Sequence, residues 1–297
     1  MDTGCSAEGC PLPAEDGATL CVLHAPREGK PREPLIAAFR ALDEAGVVRI
    51  SGLQLRGACL DGIELTLKNL RNSDLTGASF HDARLDQVGF DFSTLDEVNF
   101  EGTVLKRVNF SRCKSLRRCL WYEGLFVEVR LPAHHKLGLH CEYELRSPPE
   151  YVKADETYRH FKELYKHQGD YNTSGMFYER EMDMQRRLAP LGERAWLTAL
   201  WLLCGYGERP GRSVLAFFVI IVGFAVAYTM LELQSSSGRV HGDFLDALYF
   251  SVVTFTSLGY GDIRPVGGAR LLAGIESLLG VFAISLFVFV FCRRMIR

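Results

Sequence analysis

Charge of one sign is nowhere in excess: Lys and Arg number 34 against 36 Asp and Glu, a net charge of −2. Nucleic acid calls for a basic surplus, so it is not an expected partner. The N-terminal stretch MDTGCSAEGCPLPAEDG has no basic start leading into an apolar core. A secretory signal peptide is therefore not expected, and this end should remain in the cytoplasm. The cysteines, nine in number and scattered beyond the first few, suit reduced thiols in a cytosolic compartment better than a disulfide framework. No Ser, Cys or His constellation has catalytic spacing, and no phosphate-cradling glycine loop follows a strand, so the chain does not read as an enzyme.

The overall composition, 47% hydrophobic and 24% charged, conceals a split. Charged residues crowd the region before Arg212, and the segment from Ser213 onward is largely apolar. A soluble part precedes a membrane part, in a length of 297 residues that suggests about two domains.

A leucine or phenylalanine stands at every fifth position without a break: Leu55, Leu60, Leu65, Leu70, Leu75, Phe80, Leu85, Phe90, Leu95, Phe100, Leu105 and Phe110. Two residues before each, the side chain is usually small or β-branched, as in Ala58, Ser73, Ala78, Val88, Thr103 and Val108; Lys68 is the exception. A period of five is neither helical nor a simple strand alternation, so the chain must turn a corner regularly with two inward side chains per segment. The pattern resembles the pentapeptide-repeat family, which implies a square right-handed β-helix of four repeats per coil and about three coils here. Its outward residues, among them Asp74, His81, Asp86, Asp91 and Glu101, form no paired geometry, so the domain reads as a scaffold, sensor or docking surface.

Before the repeats, Cys5-x4-Cys10 and Cys21-x2-His24 bring four soft or imidazole ligands into a short Gly- and Pro-rich segment. Such a set can bind Zn²⁺ tetrahedrally and staple the segment, with no open position for catalysis. The alternative is ordinary reduced thiols. After the repeats, Tyr158, Phe161, Leu164 and Tyr165 share a helical face, and Phe177, Met182 and Met184 continue it beyond a turn at Gly169-Asp170. This helical hairpin is similar to one tetratricopeptide unit, with core contact as its expected use. GERAWLTALWLLCGYGERPGR then places Trp196, Trp201 and Tyr206 among leucines in a run too short to span, which reads as an interfacial helix; a buried soluble helix is the alternative.

Two runs are long enough to span: 213–233, uncharged before Glu232, and 270–292, with Glu276 inside it. Arg209, Arg212, Arg293, Arg294 and Arg297 flank them, and the positive-inside rule places both termini in the cytoplasm. Between them FLDALYFSVVTF is too short to cross and leads into TSLGYGD. Irregular backbone at membrane depth survives only when buried in protein or lining a water-filled path, and glycines let carbonyls turn toward one axis. The stretch is a candidate ion filter.

Thr254-Phe255-Thr256-Ser257-Leu258-Gly259-Tyr260-Gly261-Asp262 resembles the potassium-channel signature T-x-T-T-V-G-Y-G-D. The resemblance implies ion sites from the carbonyls of Ser257, Leu258, Gly259 and Tyr260 and the Ser257 hydroxyl, K⁺ as the transported ion, and a homotetramer that closes the ring. Serine at 257 and leucine at 258 depart from the signature and leave discrimination against sodium open. Tyr249 stands where the family often has an aromatic donor, so a bond to Asp262 is expected, while Val253 replaces the acidic residue of some members. Glu276 is expected to face a partner near the pore helix or else a water-filled cavity. Gly280 reads as a hinge, and Ile284, Val288 and Cys292 share its face as the inner pore lining or as lipid-facing packing.

The expected fold class is a multidomain membrane protein: a cytoplasmic quadrilateral β-helix, a helical linker and an all-α two-transmembrane pore domain. The divisions are 1–30 zinc knuckle, 31–49 helical connector, 50–130 β-helix, 131–190 linker with hairpin, 191–212 interfacial helix and 213–297 pore, with pore helix 243–255 and filter 256–262. The function expected is a potassium-selective or potassium-preferring channel in a prokaryotic plasma membrane. Its partners are lipid, its own copies and an unknown cytosolic protein or ligand at the β-helix. The alternatives are a non-selective cation channel of the same architecture and a membrane-tethered docking protein.

Overall fold

The structure, a computed structural model, describes residues 4–133, 137, 141–235, 238–240 and 243–295; residues 1–3 of the expected knuckle and Arg297 of the orientation argument lie outside them. The chain divides into two units, Met1–Leu188 and Ala189–Arg297.

In the first unit the five-residue period winds a β-solenoid. Its strands β1 (Arg49–Ser51), β2 (Glu64–Thr66), β3 (Asn69–Arg71), β4 (Arg84–Asp86), β5 (Val104–Lys106) and β6 (Leu125–Val127) are three residues long. They pair in parallel, with Leu65 over Leu85, Leu105 and Phe126 in one column. Every fifth-position Leu or Phe from Leu55 to Phe110 is buried, as is the residue two before it. The corner comes two residues after the fifth-position side chain. There Leu67, Asn72, Asp82, Gln87, Phe92, Glu97 and Arg107 take φ of 48–61°, at roughly 1–2 kcal/mol for each non-glycine residue. Bonds to the next coil hold these corners, as in Leu67 N–H to the Asp86 carbonyl at 3.0 Å. Aromatic rings stack up the interior: Phe80 on Phe100 at 5.6 Å, Phe100 on Trp121 at 4.6 Å, and Phe90 on Phe110 at 5.1 Å.

The solenoid runs longer than the expected three coils, to about four. The coil-to-coil step of Gly89↔Asn109 lengthens by one residue at Thr94↔Ser115, so one extra residue sits between Asn109 and Ser115. The period resumes out of phase with Leu116, Trp121 and Leu131 buried and Phe126 half-buried.

Both solenoid ends are covered, as open strand edges require. At the N-terminal end α1 (Arg32–Glu44) lays Leu35, Ala38, Phe39 and Leu42 on the same core. This cap explains Lys68: its buried ammonium donates to the Val47 carbonyl at 2.6 Å and pairs with Asp43, in the last turn of α1, at 2.6 Å. At the other end lie α2 (Glu142–Leu145) and a hairpin of α3 (Tyr151–His167) and α4 (Tyr171–Leu188). Phe161 meets Trp121 edge-on at 5.6 Å, and the Tyr165 hydroxyl donates to the Pro132 carbonyl at 2.6 Å. Phe177 and Met184 are buried; Met182 is only half-buried.

The second unit begins with α5 (Leu191–Cys204), which ends at left-handed Gly205. Only Leu197 and Cys204 of α5 are buried while Leu191, Trp196 and Leu202 are exposed, so within this unit it is not a buried helix. α6 (Pro210–Thr229) and α8 (Ala269–Met295) each contain a stretch long and apolar enough to cross a membrane, and α7 (Phe244–Phe255) lies between them. α6 stops short of the expected 233 because Leu233 leaves the helix for a small antiparallel sheet. Its strands are β7 (Leu233–Ser235), β8 (Gly238–Val240) and β9 (Ile263–Pro265), in order β8-β7-β9. Leu233 is apolar enough to extend the hydropathy of the run, but it is buried in that sheet's corner with Tyr228 and Ile263.

Candidate functional site

Residues 256–262 hang between α7 and β9. Asp243 starts α7 by accepting the Leu245 N–H at 2.9 Å. At the other end Ser257 N–H bonds the Thr254 carbonyl and Leu258 N–H the Val253 carbonyl, each at 3.0 Å. Beyond this the handedness alternates: Ser257 (φ 56°), Gly259 (59°) and Gly261 (78°) are left-handed, while Leu258 and Tyr260 between them are not. Positive φ at every second residue keeps residues 256–262 out of both helix and strand. Two of the three left-handed positions are glycines; Ser257 adopts the conformation with a Cβ, at about 1–2 kcal/mol. Leu258 and Tyr260 are 59% and 69% exposed within one chain, so a single copy covers neither.

Three elements meet behind α7. The Tyr228 hydroxyl of α6 donates to one oxygen of Glu276 on α8 at 2.8 Å, and the Ser251 hydroxyl of α7 bonds the other. Ser251 Oγ also lies 2.9 Å from the Ile221 carbonyl of α6. Glu276 is fully buried, and its two oxygens are taken by α6 and α7. The Tyr249 hydroxyl donates to Asp262 Oδ2 at 2.8 Å, spanning the segment from the helix before it to its end. Ser277 Oγ lies 3.3 Å from Ser257 Oγ. At Gly280 α8 passes so close to the end of α7 that an added Cβ would sit 2.9 Å from the Phe255 carbonyl carbon. Ile284, Val288 and Cys292 continue down α8 from Gly280, exposed in one chain and apart from this cluster.

The sequence reading missed Tyr228, Ser251 and Ser277. Their signal was a hydroxyl in an otherwise apolar run, which is weak because serine and tyrosine occur in such runs without partners.

A second cluster lies in the N-terminal segment. One ligand atom each from Cys5, Cys10, Cys21 and His24 lies within 4.8 Å of the others. Cys10 Sγ and Cys21 Sγ are 3.8 Å apart, and His24 Nδ1 is 3.1 Å from Cys21 Sγ and 3.6 Å from Cys5 Sγ. A sulfur pair at this distance is not a disulfide. Tetrahedral zinc with Zn–S of about 2.3 Å and Zn–N of about 2.0 Å sets S···S edges near 3.8 Å and S···N edges near 3.5 Å; the 3.8 Å and 3.6 Å separations match these, the 3.1 Å one is shorter and the 4.8 Å span wider, so the donor set suits the ion and small shifts would close the cage. His24 Nε2 faces the Ser51 carbonyl of β1 at 3.0 Å, the outward bond that fixes a ligating imidazole. Burial, with Cys21 and Cys5 alongside, pushes the Cys10 thiol up to about 12.

Residues 214–297 match the family model described as "Ion channel", and residues 49–90 match pentapeptide repeats in 8 copies. The chain joins an ion channel domain to pentapeptide repeats. The channel domain has relatives among potassium channels. "Two pore potassium channel a" of Oryza sativa subsp. japonica is 38% identical over 26% of this chain and 22% of its own length. "Potassium voltage-gated channel subfamily A member 5" of Homo sapiens is 30% identical over 26% of this chain and 12% of its own. "Protein LctB" of Geobacillus stearothermophilus is 32% identical over 29% of this chain and 65% of its own. The chain thus spans less than two thirds of each. Among solved structures, a pentapeptide repeat protein (Rfr23) from the cyanobacterium Cyanothece 51142 is 21% identical over 28% of this chain and 53% of that one, with a TM-score of 0.21. A likeness that slight carries no argument.

Proposed function

We propose that the channel domain assembles as a homotetramer and conducts K⁺ in preference to Na⁺ through residues 256–262. The observation that carries this reading is the alternation of φ from Ser257 to Gly261. Four copies around an axis would set rings of carbonyl oxygens where a dehydrated cation loses its water. The exposure of Leu258 and Tyr260 in one chain supports a neighbour that covers them. The Ser257 hydroxyl supplies the lowest oxygen ligand, and Tyr249 with Asp262 braces the outer end. Glu276 ties the pore helix to both spans, while Gly280, Ile284, Val288 and Cys292 line the inner path.

In the same reading the protein is a channel and not an enzyme, α5 lies along the inner membrane surface, and both termini are cytoplasmic in a prokaryotic plasma membrane. The solenoid is a regulatory or docking surface for a cytosolic protein or ligand, and Cys5, Cys10, Cys21 and His24 hold a structural zinc ion. The second reading, a non-selective cation pore, is favoured by Ser257 and Leu258, which lack the stiffening branch of Thr and Val. The reversal potential of purified protein in planar bilayers, with potassium on one side opposed by sodium on the other, separates the two. A value near the potassium equilibrium potential supports selectivity; a value near zero replaces it with the non-selective pore.

A further inference from the structure

Next in the chain to the thiol cluster lies a buried cation. Lys30 is 1% exposed. Its ammonium donates to the Leu23 carbonyl at 3.3 Å and to the Gln54 carbonyl, and among the described residues no Asp or Glu forms an ion pair with it. Burial pushes its pKa down to about 8, with Cys21 and Glu15 working against that shift and Arg27 adding to it; the ammonium is tied to the Leu23 carbonyl, between Cys21 and His24 in the chain. A buried ammonium held only by carbonyls is costly unless negative charge lies near. The charge of the cluster meets that need. Three thiolates, a neutral imidazole and one divalent cation sum to a single negative charge, which one lysine cancels.

The same residues join the N-terminal segment to the first coil. The Leu23 carbonyl also accepts Gln54 N–H at 2.9 Å, Gly29 N–H bonds the Arg56 carbonyl at 2.9 Å, and Cys59 N–H bonds the Lys30 carbonyl at 3.2 Å. Together with His24 on Ser51, these bonds lay residues 23–30 along the coil as a partial extra storey.

We propose that Lys30 is the built-in counter-charge of a Cys₃His zinc centre, and that metal and lysine together fasten this segment as the lid of the solenoid. The proposal rests on the reading of Cys5, Cys10, Cys21 and His24 as a zinc site. As Zn²⁺ enters, three Zn–S bonds and one Zn–N bond form and the three thiol protons leave to solvent; Lys30 keeps its proton.

The test uses the full-length protein in detergent, with zinc content and zinc affinity measured by competition against a chromophoric chelator. The native chain should hold one zinc, and Cys21→Ser should lose it. No zinc in the native chain would sink the underlying metal reading. Lys30→Arg should bind as the native chain does, and Lys30→Met about tenfold or more weaker, the usual effect of losing a supporting group around a metal. Cys10→His makes the centre neutral, so in that background Lys30→Met should cost nothing. An unchanged affinity in Lys30→Met, or the same loss in both backgrounds, would overturn the counter-charge while leaving the zinc site standing. If Lys30→Met does not fold, Cys10→Asp decides with the lysine in place. Histidine is ordinarily the better zinc ligand, so Cys10→Asp binding zinc more tightly than Cys10→His supports the proposal, and the ordinary order overturns it.

Discussion

Replacing Glu276 by alanine removes a carboxyl through which α8 bonds both α6 and α7. Its two oxygens hold the Tyr228 hydroxyl at 2.8 Å and the Ser251 hydroxyl, and Glu276 and Ser251 are fully buried with Tyr228 nearly so. Glu276→Ala leaves the buried Tyr228 hydroxyl without its acceptor, at about 1–3 kcal/mol, and opens space where the carboxyl stood, while the Ser251 hydroxyl keeps the Ile221 carbonyl at 2.9 Å. The expected loss is roughly 2–5 kcal/mol per chain. Tyr228→Phe keeps the ring against Phe250, at 4.9 Å, and forfeits one bond, about 1.5–3 kcal/mol. Removing every polar member together, as in Tyr228→Phe/Ser251→Ala/Glu276→Met, leaves no polar group stranded and should recover most of the loss. Thermal melting of the purified protein, followed by size-exclusion chromatography after heating, should rank native first, then the triple variant and Tyr228→Phe, with Glu276→Ala last. If Glu276→Ala melts with the native protein, or the triple variant is no better than Glu276→Ala, the carboxyl does not hold these helices together.

Alanine at Gly280 would ordinarily favour a helix by about 1 kcal/mol; here its Cβ meets the Phe255 carbonyl, and the clash should win, giving a lower melting temperature and less current. A stabilised Gly280→Ala would contradict that close approach. If residues 256–262 conduct as proposed, Tyr249→Phe, which frees Asp262, should destabilise that segment and shorten open times, and an unaltered current time course counts against the brace. Phe100, stacked between Phe80 and Trp121, should cost about 3–5 kcal/mol as alanine, read in chemical denaturation as an earlier solenoid transition; a shift under about 1 kcal/mol would mean the ring column carries little. His160 packs on Phe126 at 5.1 Å with Nδ1 buried and unpartnered. Burial lowers its pKa against the pull of Glu156 and with the help of Arg159. The unfolded chain therefore binds the extra proton first, and stability should fall as pH drops below about 6.5. His160→Gln should flatten that slope in urea titrations at pH 7 and pH 5.5, and an equal slope would assign it to other groups.

The five-residue period could be read from the sequence because two inward side chains per corner leave each position one size class. It stopped being readable at Phe110 because the extra residue before Ser115 shifts Leu116, Trp121 and Phe126 out of phase, and a strict count of five loses them. The corners were invisible for another reason. Leu67, Asp82 and Arg107 share a backbone conformation but no chemistry, since coil-to-coil bonds rather than residue type hold them there. In the second unit the spans follow from composition and the TSLGYGD stretch from its glycines. The end of α6 did not, because Leu233 counts as membrane in a hydropathy window and as sheet core in three dimensions. The Cys/His cluster announced itself by residue type, whereas Lys30 looks like any surface lysine until its burial is known.

The extra residue between Asn109 and Ser115 divides the solenoid into two kinds of chain. Before it, coils are interchangeable storeys of roughly twenty residues. Duplicating or deleting one would move every column by a whole coil and lengthen or shorten the stack by about 4.8 Å, with all side chains still in register. After it, the columns are tied to Trp121 and the hairpin that seals the end, and the same edit would break them. The domain can therefore change its reach in quantised steps from one side only, which makes height a heritable variable separate from the chemistry of the surface.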